Sequence, residues 1–422
     1  MTKYLIPKRY LFVFGTFTLS LMMYIDRICI STAKAPIAED LHLTDTEMGW
    51  ILSIFALGYA LLQTPCGMLA DKFGARKVLT SIVSIWSVFT AASGFAWNYV
   101  SLMSVRFLFG AGEAGAYPGI SSAVFKWIPV QERGIVNGIN FSGSRIGAAF
   151  ALPTVAWLID TVGWRASFVM LGAIGFVWAA VWYLWFSDYP EDHKTISDEE
   201  KKYILTNRQN LSSTEKNDGL SVKRLFSSNN MLLAMWQYFC SNFTFFFCLT
   251  WLFPYIKSTY HLESVEAGLW ASIPLMCGAF GNWFSGWLVD RIFSKGKWDL
   301  SRKIPAILGF SLAAIGMLIS VYMTEVVGAI AFLSLAIFGA DMTLSPSWSF
   351  CNDIGKSNSG AVSGTMNMAG NIGSFITALA FPHLKAWNGD DVSLFFYVGA
   401  ALNVLAVFSW LAMKPQNSIA EY

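Results

Sequence analysis

The chain has 422 residues, 55% of them hydrophobic and only 13% charged, with a formal net charge of +2. A soluble globular chain carries about 25% charged residues, so one large water-facing domain is excluded and a membrane protein is expected. The near-neutral balance leaves no basic footprint for nucleic acid.

Apolar stretches near the roughly 20 residues needed to cross a bilayer recur along the whole chain. In order they fall at 10–32, 47–70, 78–97, 99–126, 134–159 and 165–186, then at 231–257, 265–290, 304–323, 326–350, 359–384 and 393–413. The first run is too long for a cleavable signal and no small-residue cleavage site follows it. Between the two groups, 187–230 is polar and holds the runs Glu191-Asp192-His193-Lys194 and Asp198-Glu199-Glu200-Lys201-Lys202. The prediction is an all-α membrane protein of twelve transmembrane helices in two pseudo-symmetric six-helix bundles, 1–186 and 231–422. A solvated linker at 187–230 joins them.

Lys and Arg near the spans set the orientation. With the N-terminus inside, fifteen fall on the cytoplasmic side, from Lys3, Lys8 and Arg9 through Arg76, Lys77 and Arg133 to Lys414. Lys34, Arg165, Lys257 and Lys385 fall outside. Both termini and the linker are therefore predicted to be cytoplasmic, in a multi-pass protein of the inner membrane.

The halves repeat each other. Gly67-Met-Leu-Ala-Asp71-Lys-Phe-Gly-Ala-Arg76-Lys77 follows the second span, and Gly286-Trp-Leu-Val-Asp290-Arg291 follows the eighth. Internal repeats of this kind are a transporter signature, because two bundles rocking about a central site give alternating access. On these segments the chain resembles the major facilitator superfamily. The resemblance implies a gating role for Gly67, Asp71 and Arg76 as a cytoplasmic charge latch, and a weaker one for Asp290 and Arg291, where the copy loses the later Gly and basic pair. Within the superfamily the chain looks like the anion:cation symporter family, which includes bacterial galactonate, glucarate and hexuronate transporters. That match rests on Tyr24-Ile-Asp26-Arg27, Tyr59, Arg106-Phe-Leu-Phe-Gly-Ala-Gly-Glu113-Ala and Asn367-Met-Ala-Gly-Asn371.

Charge inside a bilayer is expensive and survives where it faces a cavity or a partner. The intramembrane candidates are Asp26, Arg27, Arg106, Glu113, Arg145 and Asp341. Arg106 and Glu113, seven residues apart, share one helix face. A guanidinium matches a carboxylate bidentately, and a carboxyl in a low-dielectric cavity holds a proton more readily than one in water. Arg106 is thus a candidate substrate clamp and Glu113 a candidate proton carrier; the alternative is a structural ion pair. Asp26 and Arg27 point about 100° apart on their helix. The resemblance implies a second proton site at Asp26 and a substrate or gating contact at Arg27; an interfacial pair satisfied by water is the alternative. Arg145 departs from the family pattern. It is a candidate for a second acid group, or it neutralises Asp341.

Tyr59 and Gln63 lie four apart on one helix face, as do Asn367 and Asn371. All four are candidate substrate contacts, the amides by hydrogen bonding to hydroxyls or, alternatively, by gluing helices. Trp348 is a candidate cavity wall. Gly110-Ala-Gly112-Glu-Ala-Gly115 fits a dinucleotide pattern but lies in an apolar span with no βαβ context, so close helix packing is the better reading. The six cysteines fall in or beside apolar runs and read as small hydrophobes. No nucleophile–base or metal motif is found. The expectation is a proton-coupled symporter importing a small organic anion, a sugar acid first, with no cofactor, no enzyme activity, lipid as its surroundings and a monomeric state. An antiporter or uniporter, or a non-transporting sensor on the same scaffold, is the alternative.

Overall fold

The computed structural model describes residues 6–209 and 220–419. Lys3 and the middle of the 187–230 segment lie outside the described residues. The described residues form helices joined by short turns, with no strand among them. In chain order the α-helices are α1 (Lys8–Thr32), α2 (Lys34–Asp40), α3 (Asp45–Phe73), α4 (Ala75–Ser93), α5 (Tyr99–Glu113), α6 (Ala116–Trp127), α7 (Arg133–Trp185), α8 (Asp198–Asn207) and α9 (Val222–Ser227). They continue as α10 (Asn229–Thr250), α11 (Leu252–Thr259), α12 (Ser264–Phe293), α13 (Trp298–Ser320), α14 (Val326–Met342), α15 (Leu344–Gly355), α16 (Ser359–Trp387) and α17 (Ser393–Ala412).

Local chemistry explains several boundaries. Thr44 and Glu47 form a capping box at the start of α3, and Asn98 and Ser101 do the same for α5, each satisfying orphan helix N–H groups. Gly74, at φ 85°, ends α3 and starts α4; only glycine adopts that conformation without strain. Gly163, at φ 80°, kinks the 53-residue α7, and the kink falls between the spans predicted at 134–159 and 165–186. The spans predicted at 99–126, 231–257 and 326–350 are each two helices in line, α5–α6, α10–α11 and α14–α15. Seven helical stretches among the described residues are long and apolar enough to cross a membrane by length and composition. Large apolar side chains such as Phe14, Val177, Leu184 and Phe408 stand exposed, a surface suited to hydrocarbon rather than water.

The chain divides into two compact units. Unit 1 comprises Met1–Val130, Ile146–Leu220 and Gly355–Thr365; unit 2 comprises Gln131–Arg145, Ser221–Ile354 and Met366–Tyr422. Unit 1 therefore holds the first turns of α16, and unit 2 the first turns of α7. In unit 1, α3 and α5 press backbone to backbone. A Cβ at Gly110 would strike the carbonyl of Phe55, and one at Gly58 that of Phe107. Close packing thus accounts for the glycine run on α5.

The polar segment after α7, expected as a solvated linker, belongs to unit 1 as far as Leu220 and packs against the starts of α1 and α4. The Glu200 carboxylate accepts from the backbone N–H of Lys8 at 2.8 Å and of Arg9 at 3.0 Å, capping the N-terminus of α1, where a negative charge is favoured by the helix dipole. The Asp188 carboxylate accepts likewise from the N–H of Arg76 at the start of α4, at 2.9 Å. His193 is wedged edge-on against Trp127 and Trp185. Unit 2 is centred on a ring cluster of Phe243, Phe247, Tyr255, Phe381, Phe395 and Phe396, all 5% exposed or less.

Candidate functional site

Unit 1 gathers four of the six intramembrane charges. Arg27 on α1 donates from Nε to both oxygens of Glu113 on α5, at 3.1 and 2.9 Å. Glu113 is completely buried. The Arg27 guanidinium lies over three rings, Tyr59 at 4.5 Å, Tyr24 at 5.1 Å and Phe55 at 5.1 Å. Stacking of this kind holds the planar group in one orientation. Arg106 stacks on Phe109 and Phe55 at 4.7 and 5.3 Å. It is 3% exposed, and its Nε has no hydrogen-bond partner. Asp26 is 5% exposed, and Glu113 and Arg106 are the charges acting on it. Trp86 and Thr90 stand nearest to it as donors, though neither makes a well-formed hydrogen bond.

This arrangement differs from the one spacing suggested. Arg106 and Glu113 share a helix face, yet Glu113 is held by Arg27, 86 residues away. Helix packing brings a second guanidinium closer than the one on the same helix. Asp26 and Arg27 were expected to point apart, and they do so within one charge cluster: Arg27 meets Glu113, and Asp26 turns toward Arg106, Trp86 and Thr90. Tyr24, Phe55 and Tyr117 complete the cluster. Of these the motif pointed to Tyr24 alone; an aromatic residue in an apolar span carries no mark of the cation it covers.

Unit 2 holds the other two charges. Arg145 on α7 makes a bidentate pair with Asp341 on α14, Nε to Oδ2 at 2.8 Å and Nη2 to Oδ1 at 2.6 Å. Its guanidinium carbon lies over Phe245, 3.6 Å from the ring centre. The neutralising alternative is thus the arrangement present. Trp348 is buried and donates to the Tyr238 hydroxyl at 3.0 Å, with the Phe141 ring tilted against it at 5.2 Å between centres. The Asn371 amide donates to the carbonyl of Asn367 at 2.8 Å, one turn back on α16, so that donor is used within its own helix.

The repeated glycine-and-aspartate segments form two helix crossings. In unit 1, Asp71 at the end of α3 accepts from the N–H of Gly360 at 3.0 Å and of Ala361 at 2.8 Å, at the start of α16. In unit 2, Asp290 at the end of α12 accepts from Gly134 at 2.8 Å and Ile135 at 2.7 Å, at the start of α7. Each carboxylate caps a helix N-terminus. Gly67 backs onto Gly360, and Gly286 onto Gly134. The basic residues of the motifs stand apart from these caps. Arg76 donates to the carbonyl of Tyr183 at 2.8 Å and covers its ring, and Arg291 covers Trp287. Gln63 sits one turn from Gly67, at the α3–α16 crossing.

Sequence reasoning missed a third charge cluster. Asp353 on α15 accepts from Arg302 Nε at 2.7 Å, Trp298 Nε1 at 2.9 Å and Arg133 Nη1 at 3.1 Å, all within unit 2. In the sequence both Arg133 and Arg302 stand among the basic residues that flank apolar runs. Nothing in their spacing marks a shared carboxylate.

Residues 16–378 match the family model described as "Major Facilitator Superfamily". The chain belongs to the major facilitator superfamily. This facilitator is 33% identical to the "Probable sulfoacetate transporter SauU" of Cupriavidus necator, over 92% of this chain and 89% of that one. It is 33% identical to the "Probable galactarate/D-glucarate transporter GarP" of Escherichia coli, over 89% and 88%. A "D-galactonate transporter" of Escherichia coli is 29% identical, over 94% and 93%. Among solved structures the proton:xylose symporter XylE superposes with a TM-score of 0.74 over 95% of this chain and 94% of that one, at 14% identity, which establishes the fold. The protein is a multi-pass membrane transporter and not an enzyme.

Proposed function

We propose that this facilitator is a proton-coupled symporter that imports a small organic anion, a sugar acid such as a hexonate, hexuronate or aldarate. The relatives named for sulfoacetate, galactarate, glucarate and galactonate support an acid substrate. The observation that carries the mechanism is the Arg27–Glu113 pair beside Arg106, a buried guanidinium with an unmade hydrogen bond.

The chemistry is an exchange of partners. An incoming carboxylate takes Arg106 and competes with Glu113 for Arg27. A carboxylate left buried without its cation is strongly disfavoured, so the displaced Glu113 takes a proton. Asp26, beside the same arginine, is the second proton site. Anion and proton then travel together, because the loaded cluster is less charged than a cluster holding the anion alone. Tyr59 orients Arg27 and lies against the bound acid. Gln63, Asn367, Asn371 and Trp348 are further candidate contacts, and Arg145 is a candidate for a second acid group once released from Asp341. We assign the two carboxylate-capped crossings to gating, in a carrier of two six-helix bundles divided at 187–230. Its twelve spans lie in the inner membrane, with both termini cytoplasmic, and it acts as a monomer.

The test is uptake into proteoliposomes containing the purified protein, using labelled galactonate and glucarate. An acid-outside pH gradient should drive accumulation of one of them, and a protonophore should abolish it. Uptake indifferent to the gradient would identify an antiporter or uniporter instead.

A further inference from the structure

The two helix crossings repeat more than their glycines and aspartates. In unit 1 a Cβ at Gly364 would meet the carbonyl of Gln63, and in unit 2 a Cβ at Gly138 would meet the carbonyl of Asn282. Each crossing therefore has two glycines on the capped helix, Gly360 and Gly364 or Gly134 and Gly138, and one on the capping helix, Gly67 or Gly286. Without side chains between them the backbones approach closely. Four residues before Gly67 stands Gln63, and four residues before Gly286 stands Asn282. These amides occupy equivalent places in the two repeats.

Both amides are completely buried, and both are left short of hydrogen bonds. Neither Nε2 nor Oε1 of Gln63 has a partner. Asn282 donates to the Gly278 carbonyl on its own helix at 3.2 Å, and its Oδ1 has no partner. An unmade hydrogen bond on a buried polar atom is a penalty that an apolar side chain of the same shape would not carry. The carboxylate cap favours the closed crossing; the amide one turn along opposes it. The same opposition, set by the same geometry in both repeats, is not explained by packing, which an apolar residue would serve better.

We propose that Gln63 and Asn282 are release elements of the transport cycle. Each holds its glycine-lined, carboxylate-capped crossing short of tight closure, and its amide gains the missing hydrogen bonds from water when the crossing parts. The inference rests on the reading of the chain as an alternating carrier, and it gives each crossing its own opposing pair of cap and release.

The test uses the full-length protein in nanodiscs with Gln63→Met and Asn282→Leu, which approximate the side-chain volumes and delete the polar atoms. Hydrogen exchange at 359–366 should slow roughly ten-fold in Gln63→Met, and at 133–138 in Asn282→Leu, the scale of one hydrogen-bond penalty removed. Both variants should melt at higher temperature. Both should transport more slowly, and Asn282→Leu, which lies outside the proposed substrate contacts, should do so with KM unchanged. Gln63→Glu, which adds a charge at the same place, should speed exchange at 359–366. Faster exchange or a lower melting temperature in Gln63→Met would make the amide a structural glue and overturn the proposal. A gain in stability without slower uptake would overturn it as well. A raised KM with normal turnover would assign Gln63 to the ligand instead. Exchange and melting need no substrate, so they remain readable if no organic acid is transported by the unmodified protein, an outcome that would sink the symport reading alone.

Discussion

Unit 1 and unit 2 each bury a guanidinium–carboxylate pair against aromatic rings, and the two pairs are finished differently. In unit 2, Arg145 and Asp341 meet end to end, with two short hydrogen bonds and a ring beneath the guanidinium. In unit 1, Arg27 meets Glu113 through Nε alone, its Nη2 has no partner, and a second arginine beside it has an unmet donor. A saturated pair offers nothing to a visitor until it breaks. An unsaturated cluster already holds the hydrogen bonds that an acid group would complete. The same residue types therefore form a saturated pair in one place and an unsaturated cluster in the other, and the count of unmade bonds separates them.

The contrast can be tested most forcefully in unit 2. Arg145→Leu leaves Asp341 buried alone, and removing one member of such a pair lowers stability by about 3–5 kcal/mol. Arg145→Leu with Asp341→Leu should recover most of that loss in thermal melting. Transport that survives in the double variant would show the pair to be structural; loss of diacid uptake alone would make Arg145 a ligand contact. Next in size, Arg106→Ala should reduce uptake roughly 100-fold with little change in melting, since a charge-assisted contact is worth up to about 3 kcal/mol. Equal effects on uptake and melting would place Arg106 with the structural charges. Glu113→Gln should retain substrate counterflow and lose accumulation driven by the pH gradient.

Smaller effects are expected at the periphery. Asp71→Asn and Asp290→Asn keep an acceptor and lose the charge that suits a helix N-terminus, a change of about 0.3–1 kcal/mol, up to ~2 when buried. Faster hydrogen exchange at 359–366 and 133–138 would report it. The smallest effect concerns His193. Burial between Trp127 and Trp185 holds its imidazole below the ordinary value, and Lys8 acts in the same direction, while the Trp185 carbonyl and Glu200 oppose them. The undocked segment therefore binds a proton more readily than the docked one. Docking is intact above about pH 6.5 and weakens as pH falls through that value. Protection factors across 198–207, exchange referred to the intrinsic rate at each pH, should fall on acidification, and His193→Phe should flatten the response.

Much of the fold could be read from the residues. Runs of apolar side chains are a property of each segment by itself, so the helices emerged near their predicted limits, and Gly163 divides α7 between two predicted spans. The interruptions within α5–α6 and α14–α15 could not be read, because hydropathy continues across them. At the site, membership was legible and pairing was not. A charge in an apolar run announces itself, so Asp26, Arg27, Arg106 and Glu113 could be named. Which cation meets Glu113 depends on how α1 packs beside α5, and spacing along one helix says nothing of a neighbour 86 residues away. The Asp353 cluster was invisible for the same reason, since Arg133 and Arg302 sit where flanking positive charge is ordinary. Arg145 and Asp341 were foreseeable as partners because two opposite mid-span charges of no other evident purpose tend to neutralise each other.

The Glu200 cap on α1 bears on how the protein is made. The first helix emerges from the ribosome long before residue 200 is synthesised, so its leading N–H groups spend that interval bonded to water or lipid headgroups. Five further predicted spans have entered the bilayer by the time the carboxylate arrives. A chain assembled in that order completes the start of its first helix only after α7 has been made, and a truncated product ending at the close of α7 would carry an unfinished first helix.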